Sequence, residues 1–382
     1  MKARFLIRAG AAVAATAAVA FVVAGHRPVS AAAALTQGKA DLKSAGVLAF
    51  GPDGVLFVGD STGGQVVALD TNDKTPVKTA SINVQGIDQK IAALVGVMPD
   101  QILINDIAVN PISKNVYVSA SRGKGPDAMP LVVKVEPSGK LTPLSLDNIS
   151  HAAVALVDAP ADNPGARNNP RTTTITDMAF VNGNLLVTGM SNEEWNSALR
   201  SIPYPFNQAQ KGTQLQIWHS SHGRFETQAP VRTFVPYKLG GQDYVLAAYT
   251  CTPLVKIPVS ELKPGAQVKG VTIADLGSGN QPLDMVPYKK DGHDFILIAN
   301  TSFGVVKLHA DTLATDKPID APQVVDVAGA PYDKLTDLKN VQHLAQVDDA
   351  HAVLMTATPG SGPAFAPGPP SGPVNLQTIS LP

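Results

Sequence analysis

The sequence predicts an all-β chain folded as a β-propeller of four-stranded blades, and three observations carry that prediction. First, a short apolar strand runs into a tight polar turn and a second apolar strand six times, within 47–58, 107–118, 178–187, 233–246, 285–298 and 338–355. Second, these hairpins start roughly 50 to 70 residues apart, the period at which blades repeat. Third, 32 Gly and 31 Pro with only 16% charged residues suit a large turn-rich β domain better than a helical array. Six blades fit the count. A seventh is required only if residues 76–104 hide a degenerate one.

Residues 1–34 have the organisation of a secretory signal, with residues 35–382 as a single propeller domain. Lys2, Arg4 and Arg8 precede an apolar run over 9–24, and Val29-Ser30-Ala31 offers a small-residue cleavage site. The run is short for a membrane span, and His26-Arg27-Pro28 interrupts it. The expected product is periplasmic or secreted, with no membrane segment after cleavage. A net charge of −1 supplies no basic field for nucleic acid. The expected partners are a small-molecule substrate or a periplasmic protein.

Gly51-Pro52-Asp53-Gly54 is the clearest turn of the first blade, because Pro presets φ and Asp-Gly tolerates positive φ. Third strands are expected at 65–69, 131–135, 254–257 and 304–308. Apolar residues at helical spacing over 87–97 predict a short helix between blades one and two, and 158–171 reads as a long loop. A Pro/Gly-rich excursion over 358–373 precedes a last strand, 374–379, which is placed to close the ring against the first blade.

The turn phrase and strands of the first blade resemble the NHL, gluconolactonase-like and YVTN group of propellers. The segments Met190-Ser-Asn-Glu-Glu194 and Tyr249-Thr-Cys-Thr-Pro253 resemble a branch of secreted bacterial propellers. That branch brings no known activity with it. The metal-binding Glu and Asn positions of the gluconolactonase group have no residue-by-residue match here.

A generic blade plan places function on loops held by a rigid scaffold. It puts His219 and His222, from Trp218-His-Ser-Ser-His-Gly-Arg224, beside the loop of the only cysteine, Cys251. Two imidazoles and a thiolate suit copper or zinc. Glu193 or Glu194, with Met190 nearby, would supply a fourth ligand or base, and Arg232 a substrate anchor. Two surface histidines and a buried structural thiol are the competing reading.

A second set is an aspartate at the start of the inner strand in four blades: Asp106, Asp177, Asp284 and Asp337. Blade one has Gly46 there and blade four Arg232. Such a ring would hold calcium for a lactonase-like hydrolase, or cap backbone N–H groups of adjoining blades. The long loop bearing Trp195, with Arg200 and Tyr204 beyond it, would gate a site or pack as a solvated turn. No Gly-x-Ser-x-Gly, phosphate loop, His-Glu-x-x-His or Cys-x-x-Cys-His occurs, so serine hydrolase, NTPase, zincin and c-type cytochrome readings lack support. Three functions stand: a copper oxidoreductase, a calcium-dependent hydrolase and a binding scaffold without chemistry.

Overall fold

A computed structural model describes residues 35–166, 168–207, 210–322, 327–363 and 368–382. The leader 1–34 lies outside the described residues. Six antiparallel sheets stand as blades around a central channel, making a six-bladed β-propeller. Their inner strands are Leu48–Phe50, Ile102–Val109, Asp177–Val181, Val231–Leu239, Pro282–Lys290 and Val341–Asp348.

Each blade begins with a hairpin set by its turn. In blade one, Asp53 and Gly54 both adopt left-handed φ (55° and 73°), and the Gly51 N–H donates to the Val55 carbonyl at 2.8 Å. The strands so paired bury alternate faces against both neighbouring blades. Leu246, Leu254, Ile296, Ile298 and Val306, all 0% exposed, fill the space between blades four and five. Phe57 stacks on Phe180 at 5.7 Å and meets Tyr204 edge-on at 4.9 Å between blades one and three. Each such side chain contributes roughly 1.5–3 kcal/mol of burial.

Blade order around the ring departs from chain order. Inner strands touch in the order six, two, one, three, four, five, so blade two sits between blades six and one. The chain leaves blade one after Gln65–Asp70 and lays Asn83–Val84 along the outer edge of blade six. It then forms the helix Ile87–Val95 and builds blade two. It returns as Ile149–Ala155 to complete blade one, whose outermost strand is Thr36–Gly38. The last strand, Ser371–Ser380, therefore pairs with Asn83–Val84 of blade six and not with the first blade as expected. Residues 76–104 form no seventh blade; they supply that latch and the helix. Among the described residues no helix is long and apolar enough to cross a membrane.

A bulge recurs at one place on the inner strands. The register slips between Ile104 and Asp106, Val231 and Thr233, Pro282 and Asp284, and Val341 and His343. Bulges re-aim side chains, and this one gives Asp106, Thr233, Asp284 and His343 equivalent stations at the channel.

Candidate metal centre

His219 ends the fourth strand of blade three, Thr213–His219, and a single 3₁₀ turn, Ser220–His222, carries the chain into the short strand Arg224–Glu226. The αL residue Gly223 closes that turn (φ 61°), folding Arg224 back across from His219. The two imidazoles are thereby brought together, tilted by 40° with centroids 4.0 Å apart. Cys251 stands in the turn between Gln242–Tyr249 and Pro253–Pro258 of blade four. A ring nitrogen of each histidine and the Cys251 Sγ lie within 4.8 Å of one another. Neither Glu193 nor Glu194 belongs to that group.

The carboxylate that organises the centre is Glu226. Its Oε2 accepts from His219 Nδ1 at 2.6 Å, and its Oε1 from His222 Nδ1 at 2.8 Å and Arg224 Nε at 3.0 Å. Burial opposes the Glu226 charge, but these three donors outweigh it and hold its pKa at about 2. Burial also pushes the His219 pKa below its ordinary value, against the pull of Glu226. His219 is thus a neutral ring with its proton on Nδ1, leaving the Nε2 lone pair free. That Nε2 is buried and has no partner among the described residues. One carboxylate fixing two imidazoles through Nδ1 is the outer-shell arrangement that aims ligating histidines at a metal.

The Cys251 turn is strained. Cys251 and Thr252 both hold φ of 62°, a region that favours glycine and that a β-branched residue avoids. Other contacts impose it. The Cys251 N–H donates to the Asn280 carbonyl at 2.7 Å, and Thr252 Oγ1 donates to the Gly277 carbonyl at 2.6 Å.

The remaining expected residues lie elsewhere. Glu193 pairs with Lys211 at 2.7 Å and Glu194 is exposed, so neither serves as ligand or base at this centre. Met190 pairs with Ser197 across its blade and gives its carbonyl to Arg200. Arg200 is no loop residue: it is 1% exposed within a strand, with Nε on Asp158 Oδ1 at 2.7 Å. Asp158 Oδ2 accepts from the Gly212 N–H, so this buried pair pins the start of the 158–171 loop.

In the channel, three of the four expected aspartates act between blades. Asp106 Oδ2 accepts from the Leu48 N–H at 2.7 Å, Asp177 Oδ2 from Phe234 at 2.7 Å and Asp284 Oδ2 from Leu344 at 2.9 Å. The other oxygen of each accepts the next residue's own N–H. Asp337 is absent from this ring; it is exposed in the turn after Tyr332–Leu335, before the inner strand of blade six begins at Val341. The blade-six station belongs to His343, whose Nδ1 lies 3.2 Å from Asp106 Oδ1 and 3.7 Å from Asp284 Oδ2. Burial works against the His343 charge, but the two carboxylates outweigh it and raise its pKa to about 10. Burial and the neighbouring carboxylates push Asp177 upward, and burial first of all raises Asp284. Arg232 lines the same channel and takes no part in the His–Cys cluster.

No protein-family model and no curated protein sequence matches the chain. Among solved structures, the PQQ-bound aldose sugar dehydrogenase of Streptomyces coelicolor is 12% identical, with 90% of this chain and 97% of that chain covered at a TM-score of 0.31. A Thermus thermophilus oxidoreductase described as a glucose dehydrogenase is also 12% identical, covering 90% and 100% at 0.34. An engineered GH43 glycoside hydrolase is 13% identical, covering 74% of this chain and 51% of that chain at 0.32. Likenesses this distant carry no argument about chemistry.

Proposed function

We propose that this propeller binds a single copper ion at His219, His222 and Cys251 and uses it in one-electron redox chemistry. The observation that carries the reading is Glu226 holding both imidazoles by Nδ1 beside a thiol in a strained turn. Two imidazoles and a thiolate are donors suited to copper. A His₂Cys set is the ligand set of one-electron copper sites, whereas zinc held by the three ligands found among the described residues would take water as a fourth. Copper bound there would exchange one electron with a donor and an acceptor, a small molecule or a protein met in the periplasm or outside the cell. His222, half of whose side chain is exposed, is the ligand nearest solvent and the natural side for that exchange.

The channel aspartates support the calcium reading less well, because each carboxylate oxygen already accepts a backbone N–H and His343 supplies the counter-charge. Elemental analysis of the purified protein, before and after copper loading, tests the proposal. One copper per chain, lost in Cys251→Ser, is the expected result. Copper retained stoichiometrically by that variant, or no copper after loading, overturns it.

A further inference from the structure

Across the ring from the His–Cys centre, blades two and six part around the helix Ile87–Val95 and leave a cavity of about 830 Å³. That is within the range of small-molecule sites, about 300–1,000 Å³. Its lining is mainly apolar, with Ile104, Met355 and Val374 from the core between the two blades, and carries Gln89, Gln101, Ser121 and Ser371 as neutral polar groups. On one side it is walled by the turn through Gly123 and Gly125, both at positive φ, with nothing within 4 Å of where a Cβ of Gly125 would stand.

Into this apolar space the first turn of the helix sets a carboxylate. Asp88 is 9% exposed and lines the cavity. Its Oδ1 accepts from the Val374 N–H at 2.9 Å, and its Oδ2 takes no hydrogen bond from any described residue. That oxygen is not among the buried polar atoms without a partner, so it is open to a donor carried by a ligand in the cavity. The other charges on the lining, Asp100 and Lys124, pair with each other at 3.2 Å. Asp88 is then the lining acid with no cationic side chain paired to it among the described residues.

We propose that this cavity binds an amine with an apolar body, an alkyl or arylalkyl ammonium whose N–H donates to Asp88 while its body fills the space between blades two and six. The charge selects a cation over an acid, and the apolar walls select a hydrocarbon body over a metal ion or a polyamine. This site is independent of the copper reading.

The test is isothermal titration of the full chain with 2-phenylethylamine, 2-phenylethanol and phenylacetate, repeated on Asp88→Asn and Ala128→Trp. Asn keeps an acceptor for the Val374 N–H, and Trp at Ala128, on the half-buried cavity wall, fills the space without touching Asp88. Saturable one-to-one binding of the amine is expected, at least about 10-fold tighter than the alcohol, with the acid not bound. Each variant should weaken the amine by about 10-fold or more. Absence of saturable amine binding at millimolar concentration overturns the proposal. So does an alcohol bound as tightly as the amine, or amine affinity unchanged in the variants. If Asp88→Asn fails to fold, judged by its thermal transition, the alcohol comparison and Ala128→Trp decide the matter.

Discussion

Glu226→Gln is the substitution that separates a built metal centre from two histidines that happen to be neighbours. Gln keeps the size and one acceptor oxygen but removes the charge and turns the second oxygen into a donor. One of the two Nδ1–H groups, now held at 2.6 Å and 2.8 Å, would then face an N–H. That ring must flip or lose its bond, and either outcome disturbs the direction of its Nε2. Loss of an outer-shell partner costs metal sites roughly 10- to 100-fold in affinity. Because one carboxylate serves both rings here, the upper end applies, about 100-fold or about 2.7 kcal/mol. Copper(I) affinity is measured by competition with a chromophoric chelator. The wild-type chain and Glu226→Gln are compared at one pH, with the thermal transition of each as a check on folding. A Glu226→Gln protein that folds and binds copper within about threefold of wild type would show that Glu226 does not orient ligands, and the argument from its two hydrogen bonds would fail.

Three other expectations follow from the same geometry. Cys251→Gly places the residue that prefers φ of 62° where a cysteine is strained, so stability should hold to within about 1 kcal/mol of wild type in chemical denaturation while copper binding is lost; a large destabilisation would mark Cys251 as a packing residue instead. His343→Gln leaves Asp106 and Asp284 facing each other and should cost about 3 kcal/mol at neutral pH. Since the folded His343 pKa is raised from 6.5 to about 10, its contribution is complete below about pH 6.5 and disappears as pH rises through 10. Wild type and variant should therefore converge in alkaline unfolding titrations, and a constant gap to pH 10 would refute the assignment. Arg200→Met strands the buried Asp158 carboxylate and should destabilise by about 3–5 kcal/mol in urea unfolding, much of it recovered in the double variant with Asp158→Leu.

The hairpins were legible because their information is local. Gly51-Pro52-Asp53-Gly54 fixes its turn whatever surrounds it, and the strands on either side carry the apolar pattern. The ring order was not legible, because it rests on Asn83–Val84 and Ile149–Ala155, whose partners lie hundreds and tens of residues away. The former is a two-residue strand with no pattern to detect. At the candidate centre, the proximity of His219, His222 and Cys251 followed from placing two loops at one face of the propeller. Glu226 was missed although a signal existed: a tight turn at Gly223 brings residues 224–226 back along 217–219, so a carboxylate there must meet the histidines. Glu193 and Glu194 attracted attention as an adjacent pair, yet the pairing with Lys211 takes one away and solvent takes the other. Asp337 fell by a boundary error. The inner strand of blade six starts four residues later, and the register of its bulge gives the channel station to His343.

Buried polar groups without a partner among the described residues occur both at the channel, at Thr233 Oγ1, and at the rim of blade three, and at the rim they face a strained turn. At the channel, where a propeller gathers six equivalent strands, the aspartates are fully engaged: both oxygens of Asp106, Asp177 and Asp284 accept hydrogen bonds, and His343 offsets the charge. Such a network is a staple between blades, and perturbing it changes stability before anything else. At the rim of blade three, three successive residues, Trp218, His219 and Ser220, each carry a buried polar atom without a partner among the described residues. The facing turn of blade four holds two successive non-glycine residues in the left-handed region. Buried donors and acceptors are normally satisfied, and strain persists only where surrounding structure enforces it. Both departures belong to the turns that bring a ring nitrogen of His219 and of His222 and the Cys251 Sγ within 4.8 Å of one another. A metal ion there would accept the lone pair that no described residue accepts and give the strained turn a use, which is why the copper experiment takes precedence over any assay directed at the channel.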